Sequence, residues 1–142
     1  MKTITFFVPG LPKGQPRPRA FARKMGDKYV ARMYEAGSAE HWKGAIAQAV
    51  KPYLPEIPTE LPVAIQITCL MPRPKAHFNS KGILKLGAPD AHIGKPDCDN
   101  LAKAATDCLT LVGMWKNDSQ IYDLRVIKKY GTQPGAQITI EF

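Results

Sequence analysis

The chain is short of acid. Its 142 residues carry 12 Asp and Glu against 20 Lys and Arg, a formal net charge of +8, with a sequence pI near 9.5. That balance points to a polyanion as partner, either a nucleic acid or an acidic surface. Cysteine is scarce as well: Cys69, Cys98 and Cys108 form an odd set without a C-x-x-C pair. If Cys98 and Cys108 share a helix, they stand about 15 Å apart at 1.5 Å per residue, beyond disulfide reach. His41, His77 and His92 show no ligand spacing with the cysteines, which argues against a zinc site. The expectation is three reduced thiols packed as small apolar residues. No apolar run approaches the roughly 20 residues of a membrane span. The N-terminus, Met-Lys-Thr-Ile-Thr-Phe-Phe-Val-Pro, alternates like a strand and is too short for a secretion signal, so a cytoplasmic location is expected.

What is present is an ordinary globular composition, 44% hydrophobic and 23% charged, over a length that suits one domain spanning residues 1–142. Ile4 to Val8 reads as a strand. Leu11 to Arg19 is punctuated by prolines, which fix φ and remove donors, so an extended basic loop is expected. Tyr29 to Tyr34 suits a short strand or turn. Ser38 is a candidate N-cap for a helix ended by Pro52, with Trp42, Ala45, Ile46, Ala49 and Val50 at helical spacing. That spacing places Trp42 in the core rather than on a nucleobase.

Val63 to Met71 is rich in β-branched residues and closed by Pro72, the clearest strand of the chain. Pro72 to Pro96 then reads as a long, basic, structureless loop, a length usually reserved for function. A second helix from Asp97 or Asp99 to Val112 carries its apolar stripe on Leu101, Ala104, Ala105, Cys108, Leu109 and Val112, with Gly113 to end it. Ile121 to Tyr130 and Gln137 to Phe142 alternate as two closing strands around a turn. The fold class expected is α+β: a mixed sheet of about four strands with two helices on one face, in the order β-α-β-α-β-β.

The scarce acids gather at one point, Lys95-Pro-Asp-Cys-Asp-Asn-Leu-Ala-Lys103, followed by Trp115-Lys-Asn-Asp-Ser-Gln120. On a helix, Asp99 and Lys103 fall within about 40° of each other and away from the Leu101–Ala105 seam. Two accounts fit the pair Asp97 and Asp99. Aspartates at a helix start cap backbone donors and complement the dipole, for about 1 kcal/mol, and Asp99 with Lys103 makes a plain i,i+4 pair. Alternatively, clustered carboxylates hold a divalent cation for phosphodiester hydrolysis, with lysine stabilising developing negative charge. Around them lie two basic groups. The first runs from Lys2 to Arg32 and includes Arg17, Arg19 and Arg23; the second holds Arg73, Lys75, Lys81, Lys85 and Lys95. Arg17, Arg19, Arg23, Arg73, Lys75 and Lys95 are the candidate DNA contacts. Asp107 and Asp123 read as solvated surface acids, and His92 as a loop histidine near the motif.

These residues resemble the RusA-like Holliday-junction resolvases, whose pattern is roughly Lys-Pro-Asp-x-Asp-Asn-Leu-x-Lys, then a helix, then Trp-x-x-Asp-x-Gln. Lys95, Pro96, Asp97, Asp99, Asn100, Leu101 and Lys103, then Trp115, Asp118 and Gln120, supply it. Met71-Pro-Arg-Pro-Lys75 and the closing strands are similar too. Cys98 departs from the aliphatic residue common there, and the loop before the motif is long. The resemblance implies a homodimeric endonuclease that cuts four-way DNA junctions by paired nicks in recombination and repair, using Mg²⁺ or Mn²⁺. It implies Asp97, Asp99 and Asp118 as catalytic acids and metal ligands, assisted by Lys103.

Asp118 poses a geometric question. A helix from Asp97 to Val112 is about 22 Å long, and Gly113–Asp118 spans roughly 17 Å when extended. The third acid therefore returns to the first two within one chain only if the helix starts late or the loop doubles back. Otherwise a two-fold partner supplies it. Both arrangements stay open, with the within-chain one preferred. Two rival functions also stand: a non-catalytic nucleic-acid-binding module, and a metal nuclease acting on other branched, single-stranded or RNA substrates.

Overall fold

The computed structural model describes residues 1–16 and 39–142, together with the backbone of 18–25 and 28–35. Its strands are β1 (Thr3–Pro9), β2 (Pro18–Met25), β3 (Lys28–Glu35), β4 (Val63–Met71), β5 (Ile121–Tyr130) and β6 (Gly135–Glu141); its helices are α1 (Glu40–Val50) and α2 (Cys98–Leu111). Four strands form one mixed sheet in the order β1-β6-β4-β5, with β4 parallel to β5 and the other pairs antiparallel. The α+β class, the four-stranded mixed sheet and the two helices on one face agree with the sequence reading.

Alternation builds the core. Ile4, Phe6 and Val8 of β1, Val63, Ile65, Ile67, Cys69 and Met71 of β4, and Ala136, Ile138 and Ile140 of β6 all point to one side. Trp42, Ile46 and Val50 of α1 and the Leu101–Leu109 stripe of α2 cover them. Thr5, Gln66, Arg125 and Gln137 lie exposed on the other face. Trp42 is core, as its spacing predicts.

Several expectations change. The proline-rich segment does not stay a loop: from Pro18 it enters β2, which pairs with β3 as a separate two-stranded sheet running from Pro18↔Glu35 to Met25↔Lys28. Proline at the first position of such a strand removes no ladder bond that its edge needs. The N-cap of α1 is Ala39, without a side-chain bond; Ser38, the expected cap, falls outside the described residues. β5 and β6 are consecutive in sequence but not neighbours, because β4 lies between them. The connection crosses the end of β4, where the Gly131 amide donates to the Met71 carbonyl at 3.0 Å. A Cβ at Gly131 would sit 3.1 Å from that of Leu70, so glycine eases a tight crossing.

Segment 72–96 is ordered by a 3-10 turn at Lys75–His77 and by bridges Phe78↔Leu84 and Ala91↔Lys129. Two of the three cysteines are buried, and burial pushes the Cys69 thiol up to about 12. Cys98, by contrast, is exposed between the two aspartates.

Candidate active site

The acidic motif is the first turn of α2. Asp97 is the N-cap, with extended backbone (φ −74°, ψ 152°), and its carbonyl accepts the first helical bond from Leu101 N at 3.0 Å. Its carboxylate makes no capping bond. The capping account of Asp97 therefore fails on geometry: the residue occupies the cap position and its side chain is turned outward. Asp99 accepts a bond from the Asn100 amide at 3.0 Å. Both aspartates are exposed, while Leu101 two positions on is buried and fixes the helix to the sheet. Two carboxylates at a helix N-terminus, with exposed Lys95 just before them, make a site where oxygen ligands and an attracting field for phosphate coexist.

Two elements hold this turn in place. Lys128 of β5 donates its ammonium to the Gly94 carbonyl at 2.6 Å and the Pro96 carbonyl at 2.8 Å. Lys128 pairs with Cys69 in the β4–β5 register and so belongs to the core-facing set of its strand. A lysine in that alternating set is the sequence signal for this support. From the other side, the Gln15 amide donates to the Asn100 carbonyl at 2.8 Å, and a Cβ at Gly14 would come within 2.8 Å of the Asn100 Cβ. The start of the basic N-terminal segment thus lies directly against the acidic turn.

Lys103 is placed one turn down. Its ammonium pairs with Asp107 at 3.1 Å, in an i,i+4 bridge directed along the helix away from its N-terminus. Asp107, expected to be a solvated acid, is the partly buried partner in that bridge, while Asp123 is exposed on β5.

Arg73 does not display its guanidinium. It is only 12% exposed, donates to the Pro89 carbonyl at 2.7 Å, pairs with Asp90 at 3.2 Å, and lies over the Tyr130 ring at 5.3 Å. His77 and His92 meet the same ring edge-on at 4.8 and 5.1 Å. Arg73 thereby ties the start of the long loop to its end, with Tyr130 as the post. Burial, and then the charge of Lys128, hold the His92 imidazole below its ordinary value. Lys75, Lys81, Lys85 and Lys95 are exposed. Arg17 lies outside the described residues, and Arg19 and Arg23 are known only by their backbone positions in β2.

Asp118 is set on a platform of its own. Trp115 is 1% exposed and donates its indole N–H to Thr110 Oγ1 at 2.7 Å. Asn117 accepts from the Ser119 amide at 2.9 Å, and its own amide donates to Gln120 Oε1 at 2.7 Å, a reciprocal capping box. Gln120 Nε2 donates in turn to the Thr59 and Leu61 carbonyls, both at 2.9 Å. Asn117 does the capping, so exposed Asp118 is left projecting from a rigid turn. This explains why tryptophan and glutamine frame the acid.

The third acid does not join the other two within the chain. From Cys98 the helix advances about 21 Å over its 14 residues before Asp118 is reached. From Ile121, β5 then runs back about 23 Å to Lys128, the residue that holds Pro96. Asp97 and Asp118 therefore sit at opposite ends of the helix–strand pair. Among the described residues no three His, Cys, Asp or Glu side chains are close enough to hold a metal ion. The preferred within-chain arrangement is corrected by this geometry, because the helix starts at Cys98 and the loop after it does not double back along it.

An α+β scaffold that presents paired carboxylates at a helix start in a basic chain suits phosphodiester cleavage. The family model described as endodeoxyribonuclease RusA matches residues 9–141. An uncharacterized protein of Bacillus subtilis (strain 168), YqaN, is 31% identical over 148 residues, covering 99% of this chain and 96% of that protein. The crossover junction endodeoxyribonuclease RusA of Escherichia coli (strain K12) is 30% identical over 104 residues, covering 73% of this chain and 71% of that enzyme. The like-named enzyme of Enterobacteria phage 82 is 29% identical over the same length. The chain belongs to the endodeoxyribonuclease RusA family.

Proposed function

We propose that the protein is a divalent-metal-dependent endodeoxyribonuclease that resolves four-way (Holliday) DNA junctions by paired symmetrical nicks, in recombination and repair in the cytoplasm. The observation that carries the reading is the N-cap Asp97 whose carboxylate caps nothing, one residue from Asp99, in a chain of net charge +8. Family membership and the junction nucleases among its relatives support the substrate.

The two exposed carboxylates suit Mg²⁺, with Mn²⁺ able to substitute, since such ions are held by one or two carboxylates plus waters and a phosphate. Such an ion, when bound, supplies charge neutralisation at the phosphate and acidifies an attacking water. Asp97 and Asp99 would hold such an ion at the first turn of α2. Lys95 attracts the strand, and Lys128 keeps the turn fixed through its two carbonyl bonds. Lys103 assists after leaving Asp107, a half-exposed i,i+4 pair of the kind that contributes at most about 1 kcal/mol. Lys75, Lys95 and the arginines Arg17, Arg19 and Arg23 contact phosphates. Arg73 serves DNA binding through the loop it organises.

Asp118 completes the site of a second copy. A two-fold dimer turns the far end of one helix–strand pair toward the near end of its partner, and paired nicks require two sites related by that axis. Apolar side chains exposed on the elements at the Asp118 end support the contact: Leu61, Leu111, Tyr122 and Leu124. Among the described residues, the outer edge of β5 from Ile121 to Ile127 has no partner strand.

The test is a panel of four-way, flap, linear and single-stranded DNA and RNA substrates with Mg²⁺. The wild type is expected to nick the four-way junction in pairs. Asp99→Asn is expected to bind it normally and cut it at least about a hundredfold more slowly, the scale on which a lost charge-stabilising group acts. Junction cleavage that survives in Asp99→Asn contradicts the mechanism, and equal cutting of linear DNA contradicts the substrate.

A further inference from the structure

The long loop before the acidic turn carries more than charge. It presents apolar side chains to solvent: Ile83, Leu84 and Ile93 are exposed, and Leu86 is entirely so. A loop of this composition collapses inward unless it is held open, and this one is held at many points. Asn79 Oδ1 accepts from the Lys81 and Ile83 amides at 2.9 and 3.0 Å, closing a small hairpin that ends in the Phe78↔Leu84 bridge. The Lys85 amide donates to the His77 carbonyl at 2.9 Å, and His77 packs on Tyr130. The Ala88 amide donates to the Lys85 carbonyl at 3.1 Å, which puts Leu86 and Gly87 at the corner of a tight turn. Leu86 is thus a fully solvated leucine on a pinned corner.

Its surroundings are of one sign. Lys75, Lys81, Lys85 and Lys95 are exposed along the segment, and its one acid, Asp90, is paired with Arg73. A protein surface as occupant would meet this lysine density with difficulty, whereas a phosphate backbone matches it. DNA also offers a place for an isolated apolar tip, since side chains such as leucine enter between base steps and hold them unstacked. At a four-way junction the base steps flanking the point of strand exchange, where strands pass from one arm to the next, offer that place.

We propose that Leu86 is a wedge that enters the crossover of the junction while Lys81 and Lys85 grip the flanking phosphates, a positioning role that rests on the junction-nuclease reading. The wedge holds the branch open so that the scissile strand lies along the Asp97–Asp99 turn to which the loop leads.

The probe is a four-way junction with 2-aminopurine at the crossover, bound by the Asp99→Asn protein so that nothing is cut. Binding is expected to raise fluorescence about threefold or more as bases unstack. Adding Leu86→Ser is expected to abolish the rise and leave the salt dependence of binding unchanged, whereas Leu86→Phe keeps the rise. In the otherwise wild-type protein, Leu86→Ser should slow cleavage of a fully paired junction about tenfold, as expected when unstacking is no longer assisted. It should cut a junction with mispaired bases at the crossover as fast as the wild type does. An equal fluorescence rise with and without Leu86, or no rescue by mispairing, overturns the wedge while junction cleavage by the wild type stands. Failure of the wild type to bind the junction at all overturns the wedge together with the nuclease reading.

Discussion

At the scale of single residues, the site is defined by what its neighbours do for it. Asn117 and Gln120 take over the capping around Asp118, and the backbone alone caps α2 at Asp97. Both acids are thereby left for other work. Lys128 is the most instructive of the supports, because a buried-face lysine is costly unless its charge is satisfied. Here two carbonyls satisfy it, and both belong to the segment entering the acidic turn. Lys128→Met is expected to lower stability by about 1–3 kcal/mol, the range for bonds to a charged donor. It is also expected to reduce junction cleavage, with Lys128→Arg recovering part of both. Thermal melts and cleavage rates under one set of conditions check this; a variant with normal cleavage would remove Lys128 from the account. The charges of Asp97 and Asp99 were legible in sequence. The direction of the Lys103 side chain was not, since helical spacing permits Asp99 and Asp107 equally as i,i+4 partners.

At the scale of elements, β4 was legible to the residue and α2 nearly so, because both carry strong periodicity bounded by proline or glycine. Gly113, with φ +90°, terminates α2 in the left-handed region. Gly113→Ala is expected to destabilise by about 1 kcal/mol without altering junction affinity, measured by denaturant unfolding and by titration. β3 contains the short strand or turn expected at Tyr29–Tyr34, but β2 was illegible because a basic, proline-led strand lacks the apolar alternation that announces a buried face. The placing of β4 between β5 and β6 was hidden for another reason: a short connection normally joins paired strands, and only Gly131 betrays the crossing. The order of loop 72–96 is not legible in sequence because it comes from side chains, Arg73, Asn79 and Tyr130, rather than from a repeating pattern.

That loop also gives a dependence on pH. His92 packs on Tyr130, and its imidazole is held below the ordinary 6.5 by burial first and by Lys128 second. The unfolded chain therefore takes up this proton before the folded one does. Stability from His92 is complete above pH 6.5 and is lost as pH falls through the lower folded value. Melting temperatures are expected to drop as pH goes below 6.5, and to drop less in His92→Gln; an identical fall in both would assign the effect elsewhere.

At the scale of the whole molecule, the proposed shared site makes one chain half of an active site. The sheet and its two helices fix the acidic turn at one end and the Asp118 platform at the other, about a helix length apart. The lysine-bearing loop, with exposed Ile83, Leu84, Leu86 and Ile93, flanks the first end, and Leu61, Leu111, Tyr122 and Leu124 are exposed on elements toward the second. On the proposed reading a single chain offers two of the three acids at one end, and a two-fold pair would complete two sites, as paired nicking of a junction requires. Sequence spacing raised the question of Asp118 but could not answer it, because chain length allows a return path that the observed fold does not take.

The direct measurement is complementation between two inactive proteins. Asp97→Asn and Asp118→Asn are produced separately, then together under conditions that form mixed dimers, and assayed on a four-way junction with Mg²⁺. In the mixed dimer one site joins the intact acidic turn of one subunit to the intact Asp118 of the other. Nicking is therefore predicted to reappear in the mixture and to be absent from each variant alone. A mixture as inactive as its components would contradict the shared site.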